Sequence, residues 1–401
     1  MRPVRVAVIG LGAVAQSVHL PIVQRNRADV DLVALCEVSP SRLATIGRRY
    51  GVPSAGWFAT AQDLASAILQ GRVSVDAAIV ATTGNHADDA LTLIRAGVRV
   101  LAEKPLAYSF ADLDNLEAGL AELGRDPDAW LRVGYMKEYD PAVAAARVLL
   151  TDVTPREVSV EVLHPADGTQ LKFARLEAPA TDVDPALLAG NHHRLQRSIS
   201  AAVGSDDTPL RKLYSDVVLG SIIHDIALTR HLGLALTDVA HATHWGPEFP
   251  GSVIGSGATA GGVPFSLRWH FIKDFPAYRE LVTVHHERGS VELEFTTPYI
   301  LNAPTILRTC SGGGDLRSTA CEEVWPQEEA FEREFRALLD MTRDSGQAGS
   351  SIDAARQDLA SAQTLWRACA MSSGTAIDPA CEASEPHHRA TVSDGRNSGT
   401  S

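Results

Sequence analysis

Residues 8–16 read VIGLGAVAQ, which sets Gly10, Gly12 and Ala15 in the spacing G-x-G-x-x-A at the end of an apolar, strand-like run. That pattern can hold a pyrophosphate for steric reasons. Gly10 permits the tight turn, Gly12 lets the backbone approach the anion, and Ala15 keeps helix and strand close. The helix that starts through Ala13 and Val14 presents free N–H groups to the phosphates. Glu37 closes the next strand-like segment, about 20 residues on, where a carboxylate accepts both hydroxyls of a ribose. The same carboxylate repels a 2′-phosphate, so NAD is favoured over NADP, and Arg42 nearby softens that preference.

A second chemical signal is VLAEKPLAYS at 100–109, where Glu103 and Lys104 end an apolar run directly before Pro105. Charges are costly where strands are buried, yet ligands of doubly wound sheets sit outside the carboxyl ends of the strands. A proline after Lys104 holds that residue's backbone extended. The bland alternative is a strand-end salt bridge. Thr82, Thr83, Asn85 and His86 follow another strand in ATTGNHADDA and serve either as cofactor contacts or as a helix-start cap. His224, in SIIHDIALTRHL, lies on an apolar helix, where a histidine is by default a satisfied core residue.

These residues need elements to carry them, and the whole chain bounds what those can be. At 401 residues it is too long for one core, so two domains are expected. The balance of 36 basic and 49 acidic residues, with no long basic run, argues against nucleic acid as a partner. No apolar stretch is as long as a membrane span, and the first residues lack the features of a signal peptide. Five scattered cysteines without a C-x-x-C pair favour a reducing cytoplasm. Fourteen histidines include three adjacent doublets, but neighbours in a doublet point apart, so no metal site is expected.

Segments 4–10, 31–37, 75–82, 98–103 and 130–136 read as buried strands. Helices at 86–97 and 109–123 alternate with them, the latter opening with Ser109 and Asp112 in capping-box spacing. This rhythm predicts a parallel doubly wound sheet. After Pro141 the pattern changes to a helix, a strand at 156–165, a polar and partly helical insertion or lid at 166–212, and an apolar helix at 217–233. Hairpin-like strands then fill 238–325 and predict a large, mainly antiparallel sheet with one face solvated or used for assembly. Helices at 327–344 and 352–370 follow. The expected division is an α/β Rossmann domain at 1–137, an α+β substrate and oligomerisation domain at 138–371, and a disordered tail at 372–401.

With the glycine turn, CE after the second strand, ATTGNHADDA, AEKPLA and GYMKEYDPA (134–142), the chain resembles the Gfo/Idh/MocA oxidoreductases, the glucose–fructose oxidoreductase and inositol 2-dehydrogenase family. The resemblance implies a commonly cis Lys104–Pro105 bond. It also implies that Lys104 hydrogen-bonds the reacting hydroxyl of a sugar or cyclitol and that His224 takes its proton. Glu103 would anchor the turn, and Tyr135, Met136 and Lys137 would face the substrate pocket. Relatives of the inositol dehydrogenase type carry an aspartate four residues before this histidine, where this chain has Gly220. Asp225 would point to another helix face.

His19 and Pro21 read as packing residues, while Trp269, His270, Tyr278 and Tyr299 are candidates for a sugar-lining wall. The resemblance thus implies an NAD-dependent dehydrogenase or ketoreductase on a polyol or sugar, assembled as a homodimer or homotetramer through the second sheet. Two alternatives stay open. One is an enzyme with permanently bound NAD that oxidises transiently to allow elimination, epimerisation or glycoside cleavage. The other is a non-catalytic regulator that senses NAD or a sugar.

Overall fold

The run VRVAVI places branched apolar residues on both faces of the chain, which suits a strand covered by helices on either side. In the computed structural model it forms β1 (Val4–Ile9), with five of its six residues buried. The structure describes residues 2–166, 168, 171–312, 317–343, 349–375 and 377. A continuous helix follows the glycine turn, π-type over Ala15–His19 and α-type over Leu20–Arg25. Then come β2 (Val30–Cys36), β3 (Trp57–Phe58), β4 (Ala77–Val80), β5 (Arg99–Glu103) and β6 (Leu131–Gly134).

These six strands run parallel in the order β3-β2-β1-β4-β5-β6. That order reverses between β1 and β4, the switch point at which such sheets open a crevice. Helices Pro40–Arg49 and Ala61–Leu69, between β2 and β4, had no counterpart in the periodicity reading. The capping box at Ser109 is present: its side chain takes the Asp112 N–H, and the Asp112 carboxylate takes the Ser109 N–H.

A second, eight-stranded sheet has the order β14-β13-β12-β11-β7-β10-β9-β8. Its strands are β7 (Pro155–His164), β8 (Leu236–Trp245), β9 (Ser252–Thr259), β10 (Pro264–Phe271), β11 (Arg279–His286), β12 (Gly289–Phe295), β13 (Ile306–Gly312) and β14 (Ser318–Glu323). All its pairings are antiparallel except β7 with β10. Val158, Val160 and Val162 alternate inward on β7. The other face is charged: Arg279 and Arg268 both pair with Glu161, and Arg308 pairs with Glu292 and Glu322. Exposed pairs of this kind stabilise little.

One apolar core joins the two sheets, from Ile9 and Val80 through Val160 to the fully buried Trp366 of helix Ile352–Ser372. The other face of the parallel sheet buries Val6, Val8 and Leu35 against Phe335 and Leu338 of helix Ala330–Thr342. Between β7 and β8, the 166–212 region carries helices Pro185–Val203 and Thr208–Lys212. It continues into a helix that is π-type over Leu213–Ile222 and α-type over Ile223–His231. The expected disordered tail at 372–401 lies mostly outside the described residues, although the last helix reaches Ser372. Among the described residues, no helix is long and apolar enough to cross a membrane.

Candidate active site

At the end of β1, Gly10 has φ +86°, and a side chain there would meet the Ala81 carbonyl oxygen at 2.6 Å. Gly12 differs, because a Cβ built on it meets nothing within 4 Å. Bare backbone therefore faces open space beside a helix start, and this fits the pyrophosphate of a dinucleotide. At the end of the neighbouring strand β2, the buried Glu37 carboxylate accepts the Leu11 N–H at 3.1 Å and the Ser39 N–H at 3.0 Å. Arg42 Nη1 lies 3.8 Å from it. The acid at the end of β2 is thus fixed to the glycine turn.

The Lys104–Pro105 bond after β5 is cis. His86 ties this corner to the end of β4, its two ring nitrogens each 2.7 Å from a carbonyl oxygen, of Pro105 and of Thr82. Glu103 Oε1 is 2.7 Å from His19 Nε2. Burial favours the neutral Glu103 carboxyl, but the hydrogen bond and charge of His19, with the Lys104 ammonium, hold it below the ordinary carboxylate range. Lys104 Nζ donates to the Gly220 carbonyl oxygen at 2.6 Å. Burial, aided by the Lys137 charge and opposed by Glu103, lowers the Lys104 ammonium to about 8.

His224 lies four residues beyond Gly220 and lines the same cavity of about 250 Å³ as Lys104. Burial, then the positive charges of Lys104 and Lys137, push its imidazole well below the usual histidine value. A neutral ring can accept a proton, and a cation close by can stabilise the oxygen that gives it up. The volume lies just below the roughly 300–1,000 Å³ of most small-molecule sites.

On the wall facing this pair, Lys137 donates to Glu280 and stands 3.7 Å from Asp225 Oδ1. Tyr278 donates its hydroxyl to the other Glu280 oxygen at 2.7 Å. Burial first, then the charge of Glu280, raise the Asp225 carboxyl well above the usual range against the pull of Lys137. Trp269 Nε1 donates to Ser221 Oγ at 2.9 Å, and the Trp269 ring lies 5.5 Å from that of His164. These contacts fix the helix that carries His224 against the second sheet.

Several expected site residues meet at this cavity: Val14, Thr82, His86, Glu103, Lys104, Met136, Lys137 and His224 all line it. Gly10, Gly12, Ala13, Ala15, Glu37 and Arg42 belong to the glycine-turn end. Tyr135 is a correction. It is 3% exposed, packs in the core and lies under the Arg230 guanidinium at 5.5 Å, because the chain turns at the end of β6 and sends only the next two side chains inward. Asn85 precedes the N-cap of the following helix, its Oδ1 accepting the Ala87 N–H at 2.9 Å, and Thr83 is exposed.

Of the four sheet aromatics, Tyr278 and Tyr299 line the cavity. Trp269 is buried behind it, and His270 packs edge-on against Trp245. His19 is more than a packing residue, since it pairs with Glu103. A carboxylate at a buried strand end requires such a partner, and that requirement was the available signal. Glu280 carried no signal of its own, because alternation on β11 does not distinguish an inward glutamate from a solvated one.

The sequence model of the family described as "Oxidoreductase family, NAD-binding Rossmann fold" (GFO_IDH_MocA) matches residues 4–126. Among curated proteins, an oxidoreductase named YceM from Salmonella typhimurium is 28% identical over 197 residues, 49% of this chain and 59% of that one. The curated relatives are matched over 38–59% of their own length. Among solved structures, aldose–aldose oxidoreductase from Caulobacter crescentus has a TM-score of 0.67 at 19% identity, covering 92% of this chain and 98% of that one. For myo-inositol 2-dehydrogenase from Lactobacillus plantarum the values are 0.65 and 17%, with 94% and 99% covered. At these identities the structural likeness establishes a shared fold.

Proposed function

Given that its N-terminal domain belongs to the Gfo/Idh/MocA oxidoreductases, with their NAD(P)-binding Rossmann fold, we propose that this chain is an NAD(H)-dependent dehydrogenase or ketoreductase. Its substrate would be a secondary alcohol or ketone of a sugar, glycoside or cyclitol, the class named for the aldose and inositol enzymes of like fold. The division at 1–137 and 138–371 fits this reading, one part for cofactor and one for substrate. The observation that carries it is that Lys104, from the end of β5, and His224, from the helix after the insertion, line one cavity.

The nicotinamide of a dinucleotide held at the glycine turn would accept or return the hydride. In the oxidation direction Lys104 exchanges the Gly220 carbonyl for the substrate oxygen and stabilises negative charge developing there. His224, neutral in its buried position, takes the hydroxyl proton. Positioned acid–base catalysis of this kind contributes about 10²–10⁴ in rate. Lys137, braced by Glu280, and the Tyr278 hydroxyl are placed to orient the remaining hydroxyls.

A second reading, with the cofactor retained between turnovers, is favoured by one observation: the 171–203 region bonds to the parallel sheet both at Ser39 and at Asn85. The test is a panel of sugars and cyclitols with the purified protein, followed at the NADH absorbance. Turnover of any member supports the dehydrogenase. Silence across the panel, with nicotinamide that co-purifies and does not exchange, shifts the reading to the retained-cofactor enzyme.

A further inference from the structure

Segment 171–184 leaves the second sheet region and crosses to the carboxyl edge of the parallel sheet, where it makes a series of specific contacts. Glu177 N–H donates to Gln16 Oε1 at 2.9 Å, and the Glu177 carboxylate pairs with Arg49. Arg42 Nη2 donates to the Ala178 carbonyl oxygen at 3.1 Å. Asp182 accepts the Ser39 hydroxyl on Oδ1 at 2.6 Å and the Ser41 N–H on Oδ2 at 2.8 Å. The residues gripped in this way are those around the dinucleotide crevice. Gln16 belongs to the helix after the glycine turn and donates back to the Leu11 carbonyl oxygen at 2.7 Å. Ser39 caps the helix that begins at Pro40, and its own N–H binds Glu37.

A 2′-phosphate on a dinucleotide needs positive charge and free donors just past the end of β2, commonly an arginine there. This chain has such donors in Ser39, Ser41 and Arg42, but the crossing segment already occupies them. The occupant of two is itself an anion. Asp182 stays ionised, since its bonds from Ser39 and Ser41 hold the carboxyl down to about 2. A phosphate dianion would have to displace Asp182 or stand beside it and beside Glu37, whereas a ribose 2′-hydroxyl needs only Glu37 as acceptor.

Resting on the reading that the crevice binds a nicotinamide dinucleotide, we infer that segment 171–184 is a strap over the ribose at the β2 end. Asp182 is the residue by which it excludes a 2′-phosphate and selects NAD(H). The carboxylate side chain takes the place in the donor set that a phosphate takes in an NADP-dependent site.

Titration calorimetry of the purified full chain with NADH and NADPH, for the wild type and for Asp182→Ala and Asp182→Asn, tests this without any substrate. The wild type should bind NADH more tightly than NADPH by about tenfold or more. Asp182→Ala should tighten NADPH binding by roughly tenfold while NADH changes by less than about threefold, since one charge-assisted competitor has been removed. Asp182→Asn should fall between the two. Thermal unfolding of each variant shows whether it is folded, and Asp182 is exposed enough for both to be. An unchanged NADH-to-NADPH ratio in a folded Asp182→Ala variant overturns the strap and leaves the oxidoreductase reading intact. So does a wild type that prefers NADPH. A wild type that binds neither nucleotide overturns both.

Discussion

The Lys104 ammonium and the Gly220 carbonyl oxygen are 2.6 Å apart, and His224 follows that glycine four residues later in the same helix. At this position the chain offers the lysine only backbone. The lysine therefore rests on a neutral dipole that a substrate oxygen can replace without separating an ion pair. Among the described residues no carboxylate raises the basicity of the histidine, and two lysines push it the other way.

The pH profile follows from these two groups. Lys104 must be charged to stabilise an alkoxide, and its pKa is lowered to about 8, so kcat/KM for alcohol oxidation should fall above about pH 8. His224 must be neutral, and its pKa lies well below 6.5, so the acid limb should begin below that value. Lys104→Arg, a cation at any accessible pH, should remove the alkaline limb whatever rate it retains. An alkaline limb that persists unchanged in Lys104→Arg would assign it to another group.

Gly220→Asp should introduce a carboxylate one turn from His224. A Cβ there meets only the Ser215 carbonyl oxygen, at 3.4 Å, so the backbone accommodates it. A nearby negative charge favours the imidazolium, and the acid limb of kcat/KM should move upward by about one pH unit. A profile unmoved in a folded variant would mean that His224 is not the group that titrates.

Lys137 is 6% exposed, between Glu280 and Asp225. Lys137→Met should leave the buried Glu280 without its cation and destabilise the fold by about 3–5 kcal/mol in urea unfolding. Adding Glu280→Gln to that variant should recover part of the loss. If Lys137→Met is as stable as the wild type, the cluster does not brace this wall.

The parallel sheet was legible because its strands are buried on both faces and its turns carry glycine and Glu-Lys-Pro signatures that depend only on neighbours in sequence. The glycine turn, Glu37 and Lys104 were singled out from that local context, whereas Met136 and Lys137 were expected only from the family resemblance. Tyr135 was misplaced because a one-residue twist after β6 decides which side chain enters the pocket, and sequence spacing does not fix that twist. His19 and Glu280 act through partners 84 and 143 positions away, and Asp182 through Ser39, 143 positions distant. Pairings at such separations are set by tertiary packing and leave no local trace.

The central claim is that Lys104 serves the reacting oxygen while the dinucleotide is held elsewhere, and Lys104→Met tests it most directly. Turnover of the best sugar or cyclitol and the dissociation constant for NADH are measured on the same preparation. The account predicts that kcat falls by about 10²-fold or more while NADH binding stays within about threefold of the wild type. Equal losses in turnover and binding, or undiminished turnover, would contradict it.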